Sequence, residues 1–396
     1  MKIGFVRLDD RQLYNDTRVS VLEPLGLEYL LSNIGIECEV KSWDLNIGDE
    51  FKDYYDCEFI CITIPTPLYN QAKKLIKQIH ETSNSKIIVG GPHASIFPDE
   101  CINDLNSDYV VVGEGENVIK QIIDNPEIKI HKQINPIDIN NIKFPKKINK
   151  GKYKLDIDYN ENQVVASVIT ARSCPYPCTF CSSKMVFGNK LRMRSVNNII
   201  EELEFLKEQD YNTLIFLDDT FTFNRDRTIE LCKRMNNLNF EWWVDTRVDK
   251  VDDELLGYMK EAGCSFIVYG IESGNEEILK RIKKGINIEQ IRKAVSLTKR
   301  LGIKCKANLM LGHYQETMQQ MTDTIKLGLE LQADKTSFYK VIPLPGTELF
   351  KYITLENTLE YDRFKWYGNN IPAICDKTIN PEKLNTIQEM AYNFLK

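Results

Sequence analysis

What most limits the fold of this chain is one repeated alternation: short β-branched runs, each followed by a stretch whose apolar residues recur at helical spacing. It comes in two phases. In the first, KIGFV (2–6), CEVKSW (38–43), FICITI (59–64), KIIVG (86–90) and YVVV (109–112) read as strands, with helical candidates at 22–33, 68–81 and 117–123 between them. Strands alternating with helices predict a doubly wound parallel sheet, here of five strands, with crossovers on both faces. From about 124 to 160 the periodicity dissolves into Asn, Ile, Lys and Pro, which reads as a linker or strap. The second phase places strands at 164–169, 214–217, 240–244, 265–269, 304–310 and 336–341. Six such repeats predict a partial (β/α)6 barrel of the TIM type. The helix after the first of these strands is well signalled: Ser195 can cap it, and Val196, Ile199, Ile200, Leu203 and Leu206 fall on one face. The predicted organisation is a Rossmann-like α/β domain over 1–125, a linker over 126–160, the partial barrel over 161–350 and a short helical cap over 351–396. In that cap Trp366 and Tyr367 read as an aromatic core.

A chain of 396 residues can bury two or three cores of this kind. No uninterrupted apolar stretch approaches a membrane span, and the start MKIGFV turns polar too soon for a secretory signal. These features point to the cytoplasm, where eleven cysteines stay reduced and form no disulfide framework. A formal charge of -6 and the lack of a basic block with interleaved aromatics give no general attraction for nucleic acid.

A parallel barrel gathers its βα loops at one mouth, and the polar residues of this chain collect there. After the first strand of the second phase, SVITARSCPYPCTFCSS (167–183) places Cys174, Cys178 and Cys181 within eight residues. Asp218, Asp219 and Asn224 follow the second strand, Asp245 and Arg247 the third, Glu272, Ser273 and Gly274 the fourth, and His313 the fifth. Asp and Asn are also ordinary loop and cap residues, but as a set they mark a site. A closed structural zinc site takes four ligands, and the nearest histidine, His131, lies far upstream. A cubane iron–sulfur cluster can take three thiolates and keep its fourth iron open. Pro175 and Pro177 stiffen the loop, and Phe180 can wall it from water.

This C-x3-C-x2-C at the end of a first barrel strand resembles the radical SAM superfamily. The resemblance continues through RMRSVNNIIEEL (192–203), FLDDTFTFN (216–224), DTRVD (245–249), AGC with YGIESG (262–274) and PLPGTELF (343–350). It implies a [4Fe-4S] cluster on Cys174, Cys178 and Cys181, with S-adenosyl-L-methionine (SAM) chelated to the open iron and cleaved to a 5'-deoxyadenosyl radical. It further implies Glu272 on the ribose hydroxyls, with Gly274 permitting close backbone approach. Arg247 is then suited to the methionine carboxylate, and Asp218 or Asp219 to its ammonium or to the substrate, with an internal Asp–Arg pair as the competing reading. Arg192 and Arg194 are suited either to a cofactor or to a helix entrance. Ser173 stands where the family often has glycine.

The first phase resembles the flavodoxin-like, cobalamin-binding domains of class B radical SAM enzymes, through EPLGLEYLLSNIG (23–35), VGGPHAS (89–95) and VVGEGENVI (111–119). The resemblance implies cobalamin across the carboxyl ends of the strands, near Gly90, Gly91, Gly113, Glu114 and Gly115, with Thr63, Thr66 and His93 as candidates for its tail. No D-x-H-x-x-G motif supplies a lower ligand to cobalt. The implied activity is methylation of an unactivated carbon in a small-molecule or peptide substrate, fed by a one-electron donor such as a flavodoxin or ferredoxin. Alternatives are a non-methylating rearrangement, cyclisation or sulfur chemistry, a two-cluster methylthiotransferase using Cys57, Cys61 and Cys101, and a non-catalytic scaffold.

Overall fold

The computed structural model describes residues 1–11, 21–133, 135–155, 162–352 and 381–395. Its contacts divide the chain into two compact units. The first is built from the described residues up to 155 with 182–190, and the second from 162–181, 191–352 and 381–395.

In the first unit the chain runs β1 (Lys2–Arg7), α1 (Leu25–Ser32), β2 (Glu39–Asp44), β3 (Phe59–Thr63), α2 (Tyr69–Thr82), β4 (Lys86–Gly90), α3 (Pro92–Ile96), α4 (Pro98–Asn103), β5 (Tyr109–Val112), α5 (Val118–Asp124) and β6 (Ile130–Lys132). All six strands are parallel, in the order β2-β1-β3-β4-β5-β6. The order reverses between β1 and β3, as in a doubly wound sheet. Ile3, Phe5, Cys61, Ile88 and Val111 pack on one face against Leu27, Val118, Ile119 and Ile122, which is why these strands read as near-continuous apolar runs.

The stretch expected as a linker is instead part of this unit. Residues 130–132 add a sixth strand beside β5, and Lys154 pairs with Val21 in an isolated antiparallel bridge. Between them the backbone N–H of Lys143 donates to Asn33 Oδ1 (3.0 Å), and Lys147 Nζ donates to Glu23 Oε2 (2.7 Å) and Glu28 Oε2 (3.1 Å). All three charged side chains of that cluster are buried. A strap anchored by side chains needs no hydrophobic period, so its sequence shows none.

The second unit contains β7 (Val165–Val168), β8 (Ala171–Arg172), β9 (Arg192–Met193), α7 (Val196–Glu208), β10 (Thr213–Phe216), α8 (Arg225–Met235), β11 (Glu241–Thr246), α9 (Asp253–Glu261), β12 (Cys264–Glu272), α10 (Glu276–Arg281), α11 (Ile288–Arg300), β13 (Lys304–Leu311), α12 (Met318–Glu330), β14 (Lys335–Lys340) and α13 (Pro381–Phe394). Between β8 and β9 the chain forms α6 (Lys184–Phe187), which packs against α3 within the first unit. The main sheet is parallel in chain order, β7-β10-β11-β12-β13-β14. Each strand adds at the same edge through a helical crossover, the winding of a barrel left open after six strands. Val168, Phe216, Trp242, Val244, Ile267 and Leu309 face the helices and form the core with them. Ser195 caps α7 by accepting from the Asn198 N–H (3.2 Å), and the whole predicted face of that helix is buried. Capping boxes at Asn287 and Thr317 start α11 and α12, each cap worth ~1 kcal/mol.

The C-terminal helix is more than a cap. Leu384, Ile387 and Ala391 of α13 join the main core, and Gln388 Nε2 donates to the Phe338 carbonyl of β14 (2.6 Å). It serves as the outer helix of the sixth strand. Trp366 and Tyr367 lie outside the described residues. Among the described residues no helix is long and apolar enough to cross a membrane.

Candidate functional site

The cysteine loop leaves the carboxyl end of β7 and is clamped at its base, where Ala171 pairs with Met193 and Arg172 with Arg192. Ser173 has φ 73, in the left-handed region that glycine enters freely and other residues at a cost of ~1–2 kcal/mol. The glycine usual in the family at this place thus has a conformational reason, and Ser173 tolerates the same geometry. Further along, the Thr179 N–H donates to the Ile282 carbonyl (3.1 Å), and the Thr179 carbonyl accepts from the Leu349 N–H (2.9 Å). These bonds fix the loop against the end of α10 and the segment after β14. Cys174 Sγ lies 3.8 Å from Thr220 Oγ1, and Cys178 Sγ lies 3.9 Å from the Lys283 carbonyl.

All three cysteines are free, with Cys174 and Cys178 half-buried and Cys181 exposed. Burial pushes the Cys174 and Cys178 thiols up. At Cys178 the Lys284 and Arg247 cations oppose that effect, so positive charge stands where a thiolate would form. Among the described residues no three His, Cys, Asp or Glu side chains converge to hold a single metal ion. The thiolates of a cubane reach irons at separate corners and stand wider apart.

The structure divides the aspartate pair. Asp218 is buried, and its two oxygens accept from the Thr170 N–H (3.0 Å) and Oγ1 (2.7 Å), tying the end of β10 to the loop before the cysteines. Burial pushes its carboxyl up to about 6. Asp219 is exposed, and its carboxylate has no partner among the described residues, so it is the member open to a ligand. Arg194 is buried and spent on structure, donating to Glu202, the Ile169 carbonyl (3.0 Å) and Asn198 Oδ1 (2.6 Å).

Arg247 is buried with its guanidinium 3.7 Å from the Tyr176 ring centroid, and it donates to Asp249 Oδ1 (2.8 Å) and the Lys284 carbonyl (2.7 Å). Arg247 is thus ion-paired with Asp249 and not with Asp218 or Asp219, and its Nη1 has no hydrogen-bond partner among the described residues. Glu272 has φ 68 and accepts from Lys284 Nζ (2.9 Å). A Cβ on Gly270 would lie 2.6 Å from Glu272 Oε1 and 2.9 Å from Lys284 Nζ, so that glycine makes room for the ion pair. Gly274 also packs closely against α12. Its Cβ would fall 2.6 Å from the Asp323 carbonyl oxygen and 2.7 Å from Thr324 Cα. Gly274→Ala should therefore cost ~1–3 kcal/mol by overpacking against α12, measured as a fall in the urea midpoint.

His313 is buried beside Phe180, ring centroids 6.2 Å apart. Burial pushes its imidazole down to about 4, against a hydrogen bond to the Glu272 backbone, and its Nε2 has no partner among the described residues. Lys284 and Tyr176 are the site residues that sequence reading missed. Lys284 is one lysine in the run KRIKKG (280–285), and Tyr176 stands between two prolines. Neither pattern separates them from surface residues.

In the first unit, Thr63, Gly90, Gly91 and Gly113 stand at the carboxyl ends of β3, β4 and β5, where a doubly wound sheet binds ligands. Gly91 has φ 92 and would bring a Cβ to 2.6 Å from Thr63 Oγ1, while Gly113 has φ 88. This small-residue edge fits a bulky ligand. The other candidates are turned to packing. Thr66 and His93 are buried, with His93 Nδ1 3.3 Å from Thr66 Oγ1 and its ring 4.6 Å from that of Tyr69. Burial pushes the His93 imidazole down to about 4, so it is neutral at pH 7. Glu114 is buried and accepts from the Ile137 N–H (3.3 Å), and Gly115 packs against Leu30. Cys57, Cys61 and Cys101 are buried. Burial pushes the Cys101 thiol up to about 12 and Cys61 higher still, which disfavours the thiolates a second cluster would need.

A family model described as Radical SAM superfamily matches residues 168–328, and one described as B12 binding domain matches residues 12–123. The chain is 31% identical to Uncharacterized methyltransferase PH0819 of Pyrococcus horikoshii, over 93% of this chain and 86% of that one. It is 25% identical to the cytidylyl-2-hydroxyethylphosphonate methyltransferase of Streptomyces wedmorensis, over 74% of this chain and 67% of that one. Among solved structures, the radical SAM methyltransferase TsrM from Kitasatospora setae, with cobalamin and a [4Fe-4S] cluster bound, superimposes with a TM-score of 0.71. The identity is 14%, covering 98% of this chain and 81% of that one. The cobalamin-dependent radical enzyme OxsB, with aqua-cobalamin and SAM bound, gives 0.68 at 18% identity, over 83% and 51%. Two matching domains in this order, and a relative that aligns over nearly its whole length, establish that the chain belongs to the class B, cobalamin-binding branch of the radical SAM superfamily.

Proposed function

We propose that this chain is a cobalamin-dependent radical SAM methyltransferase acting on an unactivated carbon, with Cys174, Cys178 and Cys181 as the ligands of a [4Fe-4S] cluster. The observation that carries this reading is the clamped three-cysteine loop with Lys284 and Arg247 beside Cys178. When bound, the cofactors supply one-electron reductive cleavage of SAM and carriage of a methyl group.

The protein's part is to hold and orient. Glu272, an acceptor-only carboxylate fixed by Lys284, is suited to the two ribose hydroxyls. The open carboxylate of Asp219 can accept from the methionine ammonium, and Nη1 of Arg247 can donate to its carboxylate. Phe180 and His313 pack edge to face beside the cysteine loop. In the first unit the edge at Thr63, Gly90, Gly91 and Gly113 takes cobalamin, and His93 supports that edge from behind without reaching the ligand. The electron comes from a donor such as a flavodoxin or ferredoxin, in the cytoplasm.

Anaerobically reconstituted protein, supplied with cobalamin, SAM and a strong reductant, should form both 5'-deoxyadenosine and S-adenosylhomocysteine. Deoxyadenosine alone would favour a non-methylating reaction, the class to which the relative named anaerobic magnesium-protoporphyrin IX monomethyl ester cyclase of Rubrivivax gelatinosus points. Neither product would leave only the scaffold reading.

A further inference from the structure

The helix-free face of the second unit's sheet carries charges that the cofactor-binding reading above does not use. Trp243, Asp245, Phe266, Val268, Lys306 and Asn308 stand outside the helix-facing core, alternating along β11, β12 and β13 with residues that belong to it. Asp245, Val268 and Lys306 share one row of the sheet, since Asp245 is paired in register with Val268 and Val268 with Lys306. Strand spacing then sets the Asp245 and Lys306 backbones about 10 Å apart, and the two side chains form no ion pair.

Asp245 is exposed within this face, and its carboxylate has no hydrogen-bond partner among the described residues. Desolvation raises its carboxyl to about 6, against the pull of Lys306 and with a further push from the Asp219 carboxylate. Among the described residues Lys306 Nζ has one hydrogen-bond partner, Tyr339 Oη, at 3.2 Å. One row deeper, Trp243 and Phe266 form an aromatic floor with ring centroids 4.9 Å apart. Trp243 is 6% exposed, and its Nε1 is buried without a partner among the described residues, as is Oδ1 of Asn308. Orphaned buried polar atoms are rare and costly. Here one donor and one acceptor join an unpaired carboxylate and an under-used ammonium on the same face.

We infer that this face binds the substrate through a zwitterionic head, a free α-amino acid whose ammonium pairs with Asp245 and whose carboxylate pairs with Lys306, over the Trp243–Phe266 floor. The two opposite charges, held apart by Val268, match the two ends of such a head and no single ion. The inference rests on the proposed function only in taking the bound molecule as the substrate. SAM carries the same kind of head, but that head is assigned above to the cysteine loop, Asp219 and Arg247.

The test is equilibrium dialysis of each proteinogenic L-amino acid against the reconstituted, cobalamin-loaded protein, beside its decarboxylated amine and its N-acetyl derivative. At least one amino acid should bind, and both single-charge counterparts should bind about ten-fold or more weakly. Asp245→Asn and Lys306→Met should each weaken that amino acid by a similar factor. SAM affinity, measured in the same samples, separates the outcomes. If SAM binding weakens in step with the amino acid in either variant, the pair serves SAM and the inference is overturned. If no amino acid binds to protein that still cleaves SAM, the inference fails and the proposed function stands. If SAM is not cleaved while an amino acid binds as described, the binding face stands and the proposed function fails.

Discussion

Replacing Cys178 with alanine should abolish 5'-deoxyadenosine formation and lower the iron content of the reconstituted protein, while far-ultraviolet circular dichroism stays unchanged. The fold should survive because the loop is held by backbone bonds that need no thiol: the β8–β9 clamp and the two bonds of Thr179. The cluster should not, because Cys178 is the thiol flanked by both cations. Cys101→Ala is the matched control, since that buried thiol lies in α4 of the first unit and should cost stability without touching iron content. Wild-type rates of SAM cleavage by the Cys178 variant would contradict the ligand assignment.

Lys147→Ala should be the most damaging change in the first unit. Lys147 is the cation shared by Glu23 and Glu28, and its removal leaves two carboxylates buried together. Breaking a buried ion cluster on one side costs about 3–5 kcal/mol, to be read from urea denaturation. The penalty has a pH sign. Burial already holds the Glu28 carboxyl above its ordinary range, against the pull of Lys147, so the native state binds that proton more tightly than the unfolded chain. The proton's stabilising contribution is full at low pH and is lost as pH rises through the raised value. The variant should accordingly lose less at about pH 5 than at about pH 8. Equal losses at both would mean that the carboxylates escape to water.

Much of this architecture was legible because burial imposes periodicity. All six strands of the second unit's main sheet appear where β-branched and apolar runs stand, and the predicted face of α7 is buried residue for residue. The parts that escaped are those fixed by side chains or by very few residues: the three-residue β6, the strap tied by Lys147, and the docking of α13 on β14. The same division runs through the site. Cysteine spacing is a local signal, so the loop was readable, but the Lys284–Glu272 pair joins a strand end to a lysine run twelve residues on. The close packing of Gly274 against α12 was not legible either, since sequence records the need for a small residue and not its neighbour.

The cysteine loop rises from β7, a strand paired in the main sheet with β10 alone among the described strands. Outermost strands open at a smaller free-energy cost than central ones. Fraying of that margin would loosen the cysteines while β10 to β14 and their helices stay native. Loss of iron on mild heating or in low denaturant should thus precede any change in helical content, and amide exchange should be faster at 165–168 than at 264–272.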